Sequence, residues 1–155
     1  MIQRIQSLYL LISSLIMGMT LLVPFMNFQT ESGIVSVTAF QIRDISSAIF
    51  IESASIKTLA IAVITTAVLS LASIFFFKKR TLQLKLIRYS IILKLALLTV
   101  IAYFTFVILK ETQVEISVNP QVGTLFLVVA MIIDWLAMNA IRKDEELVRS
   151  VDRIR

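Results

Sequence analysis

The chain of 155 residues has no cysteine and no histidine. The first absence excludes disulfides, thiolate nucleophiles and cysteine-ligated zinc or iron–sulfur centres. The second removes the commonest acid–base group and metal ligand. Most familiar enzyme mechanisms thereby lose a member. Proline occurs twice and glycine three times, and neither falls between Gly123 and the last residue, Arg155. Internal repeats and low-complexity tracts are also missing.

What is present is apolar. Hydrophobic residues make up 58% of the chain and the mean hydropathy is +0.91, more than a soluble core requires. These values describe an integral membrane protein. A formal net charge of +5 is then a record of orientation and an attraction to anionic headgroups, and no nucleic acid is expected as a partner.

The chain is organised around the basic stretch Lys78 to Arg88, which holds Lys78, Lys79, Arg80, Lys85 and Arg88. Apolar runs of about twenty residues leave it on both sides, as in a transmembrane hairpin. Four spans are expected, over residues 7–28, 58–77, 89–109 and 124–141, in a single four-helix membrane domain covering 1–155. With no proline or glycine to stop it, the fourth span is expected to continue as a cytoplasmic tail helix over 142–155. Eleven basic residues then lie on one face (Arg4, the five of the basic stretch, Arg142, Lys143, Arg149, Arg153 and Arg155) against Arg43, Lys57 and Lys110 on the other. That bias puts both termini in the cytoplasm.

Outside the membrane, Met26 to Thr30 and Val35 to Ala39 alternate apolar with polar residues around Glu31-Ser32-Gly33, the pattern of a hairpin. A lone hairpin is marginal, and Val114 to Val118 is the candidate third strand. Residues 41–55 have no assigned role. The expected fold class is therefore an all-α integral membrane protein, a four-transmembrane-helix bundle with a small β-sheet in its outer loops.

Within the spans the ionisable residues are Lys94 and Asp134. Each lies about 10–12 Å above the cytoplasmic boundary at 1.5 Å per helical residue, so neighbouring antiparallel helices can pair them. Pairing lowers an insertion cost of about 2.5–3.5 kcal/mol per charge. An intramembrane ion pair that fixes helix register is the simplest reading, and a proton or cation site on Asp134 is the functional one. Ala62, Thr66 and Ser70 recur every fourth residue, and Ser14 and Gly18 repeat the spacing. Together they form a candidate helix-packing seam. Leu147, Val148, Val151 and Ile154 make an apolar stripe on the mixed-charge tail, a candidate docking face for a partner.

The opening Met1-Ile2-Gln3-Arg4-Ile5-Gln6 and the closing Ala140-Ile141-Arg142-Lys143-Asp144-Glu145-Glu146-Leu147-Val148-Arg149-Ser150-Val151-Asp152-Arg153-Ile154-Arg155 resemble an uncharacterised family of small four-pass inner-membrane proteins of Bacteroidota, a domain of unknown function. The resemblance covers the whole chain and implies a bacterial inner-membrane location. It carries no activity, substrate or cofactor. From the residues, the expected function is a non-enzymatic accessory, assembly or interaction subunit that binds other integral membrane proteins or itself, with anionic lipid headgroups at its cytoplasmic face. No catalytic, metal or cofactor residues are assigned. The alternative is a small proton- or cation-coupled transporter using Asp134.

Overall fold

A computed structural model of the chain describes residues 3–30, 33–44, 50–51, 54–77, 79–112 and 117–152. It contains four helices, α1 (Gln3–Thr20), α2 (Ala54–Phe75), α3 (Arg80–Thr112) and α4 (Val122–Asp152). Each helix packs on its neighbours in chain order, and α1 closes the ring against α4. Their buried positions fall on narrow stripes: Gln6, Leu10, Ser13, Met17 and Thr20 on α1; Ile87, Ser90, Lys94, Leu97 and Ile101 on α3; Leu127, Ala130, Asp134, Ala137 and Ile141 on α4. Alternating steps of three and four residues keep one side of each helix turned to the bundle axis. The opposite sides, with Leu8, Leu15, Val68, Ile92 and Ile132 among them, are exposed and apolar, as a hydrocarbon solvent demands.

Three of the helices carry stretches long and apolar enough to cross a membrane, Thr58–Phe75, Arg80–Tyr103 and Val122–Leu147; the apolar part of the first, Ile5–Thr20, is shorter. The 18 residues of α1 make a rod of about 27 Å, just under a hydrocarbon core of about 30 Å. The first span expected over 7–28 is thus corrected: the helix starts earlier and stops at Thr20. Leu21 and Leu22 close a tight last turn onto Gly18 and Met19. Pro24 then forces Val23 out of helical geometry, and after Phe25 the chain enters β1 with Met26 and Phe28.

The basic stretch is corrected as well. The turn after α2 is only about four residues long, closed by the Lys79 amide donating to Phe76 O at 2.9 Å. Thr81 to Arg88 already belong to α3. Nothing between them breaks a helix, and Gln83 and Ile87 continue the buried stripe. α4 likewise runs unbroken from Val122 to Asp152, so its charged C-terminal portion is the same helix as the fourth apolar run.

The five strands β1 (Met26–Thr30), β2 (Gly33–Val37), β3 (Ile42–Asp44), β4 (Phe50–Ile51) and β5 (Ser117–Pro120) lie in the order β4-β3-β2-β1-β5. The expected hairpin is present in the register Thr30↔Gly33 to Met26↔Val37. The third strand sits further along than expected. Asn119 and Pro120, beyond the expected Val114 to Val118, pair with Asn27 and Met26, and residues 113–116 lie outside the described residues. Pro120 costs little on this edge strand, where its missing N–H has no ladder partner to satisfy. Residues 42–44 and 50–51, unassigned from sequence, add β3 and β4 antiparallel to the other edge.

The sheet is fastened to the bundle by main-chain bonds. Gly123 N donates to Pro24 O and Gln121 N to Phe25 O, both at 3.0 Å, and Thr124 Oγ1 donates to the same Phe25 carbonyl at 2.6 Å. The start of α4 therefore lies directly on the exit of α1. A Cβ at Gly123 would stand 2.6 Å from Pro24 O, whereas one at Gly18 would meet nothing within 4 Å. Gly123→Ala is expected to destabilise the protein by about 1–3 kcal/mol through overpacking. Gly18→Ala is expected to be neutral or stabilising by up to about 1 kcal/mol. Thermal unfolding of both variants in one detergent checks the contrast.

Candidate functional site

The bundle holds one buried polar layer between two apolar ones. Toward the sheet lie Met17, Phe25, Val63, Leu97, Ile101 and Leu127. Toward the other end lie Leu10, Ile87, Ala137 and Ile141. Between them every helix contributes a polar side chain: Ser13 from α1, Ser70 from α2, Ser90 and Lys94 from α3, and Asp134 from α4, all completely buried.

Lys94 Nζ donates directly to Asp134 Oδ2 in an ion pair. It also lies within hydrogen-bond distance of Ser90 Oγ at 3.0 Å, Ser70 Oγ at 3.1 Å and Ser13 Oγ at 3.2 Å. The carboxylate accepts from Ser90 Oγ at 3.0 Å and from Ser70 Oγ at 3.2 Å. Ser13 Oγ donates a hydrogen bond to Ala130 O on α4 at 3.2 Å. An ammonium has three protons, so these partners use its donors fully, while on the carboxylate they converge on Oδ2 and leave Oδ1 with Ser70 Oγ at 3.5 Å. The lysine does not snorkel, because its stem runs inward along the buried stripe and its charge is met there.

Each serine hydroxyl donates to the Asp134 carboxylate or to a main-chain carbonyl, and the carboxylate is itself paired with the Lys94 ammonium. Among the described residues no group of three acidic side chains is placed to hold a metal ion. The remaining seam residues divide. Thr66 and Ser70 are on the buried stripe of α2, while Ala62, Ser14 and Gly18 are half-buried beside theirs. Thr66 turns its hydroxyl back to Val63 O at 2.8 Å.

At the end of the bundle remote from the sheet, Arg80 Nη2 meets Asp144 Oδ2 at 2.9 Å, and Gln6 Nε2 donates to Ala140 O at 3.3 Å. Arg80 is the first residue of α3, where the helix dipole disfavours a cation; Asp144 offsets that cost. Of the tail stripe, Leu147 is exposed, the side chains of Val148 and Val151 are not described, and Ile154 lies outside the described residues. Ser13 and Ser90 were missed from sequence. Ser90 had a readable signal, standing one helical turn before Lys94 on the same face.

Fold and cluster together define a class: a small, mostly helical protein with membrane-length apolar helices tied by an internal ion pair. Within that class the chain belongs to the family described as a domain of unknown function (DUF4293), whose model matches residues 2–154. No curated protein matches the chain.

Removing one partner of a buried pair strands the other charge, at about 3–5 kcal/mol. Asp134→Asn is therefore expected to lower stability by that amount, and Lys94→Met with Asp134→Leu to recover most of it. Unfolding midpoints in detergent check this, and an Asp134→Asn protein as stable as the parent refutes it. The half-exposed Arg80–Asp144 pair is expected to show a coupling below about 1 kcal/mol in a double-mutant cycle.

Proposed function

We propose that the protein is a non-enzymatic membrane subunit that acts by associating with other integral membrane proteins or with copies of itself. The observation that carries this reading is the closure of the polar cluster: the buried charges bind the four helices to one another. The structured material away from the apolar girdle supports it. A five-stranded sheet stands at one end, and at the other α4 continues well past the start of α1. Both are surfaces for recognition outside the bilayer.

In this reading all four helices cross the bacterial inner membrane. The short α1 is matched by local thinning at modest cost, and the basic residues at the Arg80 end hold that end and both termini in the cytoplasm. The second reading, a small proton- or cation-coupled transporter, draws on the same Asp134 carboxylate, which is buried at mid-bundle with an ammonium and hydroxyls around it. The two differ in what they need from the pair. Assembly needs it for folding, whereas transport needs a titrating or ion-binding carboxylate. The double variant Lys94→Met with Asp134→Leu is expected to keep its partners; a folded double variant that keeps partners but loses a measured ion flux would favour transport.

Extraction in several mild detergents followed by mass spectrometry is expected to recover the chain with another membrane protein or as an oligomer. Recovery alone at monomer mass under all conditions overturns the proposal. Topology is checked in this cysteine-free chain with Asn119→Cys and Glu146→Cys, both at exposed positions. An impermeant thiol reagent applied to spheroplasts is expected to label the first and spare the second.

A further inference from the structure

Between α1 and α4, at the end remote from the sheet, an open groove of about 560 Å³ runs along the helices. Its lining changes character along α4. Trp135 and Leu136 lie at the end nearer the polar layer, Asn139 one turn further on, and Arg142, Lys143 and Glu146 beyond it, with Tyr9 of α1 also in the lining. The three charged side chains are exposed.

We infer that this groove seats one phospholipid whose headgroup is a phosphoethanolamine, with the phosphate on Arg142 and Lys143 and the ammonium on Glu146. The assignment rests on the membrane reading given above and goes beyond it by naming a ligand. The charges match in order as well as in sign. Along α4 the two cations come first and the carboxylate follows three to four residues later, about 5 Å further from the hydrocarbon at 1.5 Å per residue. An ethanolamine ester places its phosphate nearer the acyl chains and its ammonium one comparable step beyond. Guanidinium and phosphate form charge-assisted bonds, and the primary ammonium donates N–H bonds to a carboxylate.

Deeper in, the Asn139 amide stands at the level of the glycerol esters, and Trp135 and Leu136 flank the first part of an acyl chain. Trp135 is 53% exposed beside the completely buried Asp134, so this groove wall faces the bilayer. A purely anionic headgroup fits less well, because Glu146 would face a hydroxylated or charged group with no cation to offer. A choline headgroup carries the positive charge but has no N–H to donate.

The full-length chain, freed of detergent in the gas phase by native mass spectrometry, reads out retention of added lipid. Phosphatidylethanolamine, phosphatidylglycerol and phosphatidylcholine of one acyl composition are the probes. The expected result is a preference for phosphatidylethanolamine of about threefold to fivefold, the size of one exposed charge pair. Glu146→Gln removes that preference and leaves phosphatidylglycerol retention intact, while Arg142→Gln with Lys143→Gln weakens all three. Equal retention of the three lipids, a parent protein that prefers phosphatidylglycerol, or an unchanged preference in Glu146→Gln overturns the inference. So does a cross-link from Asn139→Cys to a second protein chain filling the groove. Recovery of the chain without protein partners leaves the lipid preference standing, so the two proposals fail separately.

Discussion

The structure depends on a buried ion pair that belongs to no single helix. Lys94 and Asp134 lie on α3 and α4, and the serines that complete their hydrogen bonding come from α1, α2 and α3. In water a bundle of this kind would be driven together by its apolar stripe. In hydrocarbon that drive is absent, since a leucine is as well solvated by lipid as by another helix. Association then rests on close packing and on polar groups that have no alternative partner. A charge at mid-bilayer is the strongest such group, because leaving it unpaired costs several kcal/mol. The pair therefore acts on register: sliding any one helix by a turn would remove a hydroxyl or a charge from the cluster and leave a charge under-bonded.

The packing around the pair shows why one polar layer suffices. Apolar clusters lie on both sides of it, which seals the pair from water and strengthens its Coulombic attraction. Small side chains permit the approach. Ser13, Ala130 and Ala137 place α1 and α4 close enough for a serine hydroxyl to reach a main-chain carbonyl on the facing helix. The glycine that matters for proximity is Gly123 at the sheet junction, where no Cβ fits.

How legible this was depends on the kind of signal. Lys94 and Asp134 stand out because charges in an apolar run are rare, and their equal depth on antiparallel helices sets them side by side. The serines do not stand out, since hydroxyl residues are ordinary in membrane helices and only spacing from Lys94 singles out Ser90. Apolar content marked three of the helices well and misled on the first, because Met26 and Phe28 are as hydrophobic in a strand as in a span. What decided that boundary was Pro24, read from sequence as lying within the run. The basic stretch misled for the opposite reason. Its charges imitate a loop, yet side chains on the exposed face of a helix carry charge at no cost to the backbone, and Arg80 to Arg88 do so.

The same ion pair also explains where the sheet lies. Measured from the polar layer toward the sheet, α2 and α3 continue for sixteen and eighteen residues, about 24 and 27 Å, whereas α1 and α4 end after seven and twelve, about 10 and 18 Å. With register held at the layer, two helices stop short and leave a step beside their taller neighbours. The chain leaving α1 becomes β1 and the chain entering α4 is β5, so the two strands that pair with each other occupy that step. The sulfur of Met26 on β1 lies 3.7 Å from Thr105 Oγ1 on α3, and Ala39, just past β2, belongs to the same buried apolar cluster as Ala60 and Val63 of α2. A hairpin too small to be stable alone gains a floor and a wall from the unequal lengths of the helices. The sheet is thus set, through helix register, by two charges buried in the middle of the bundle.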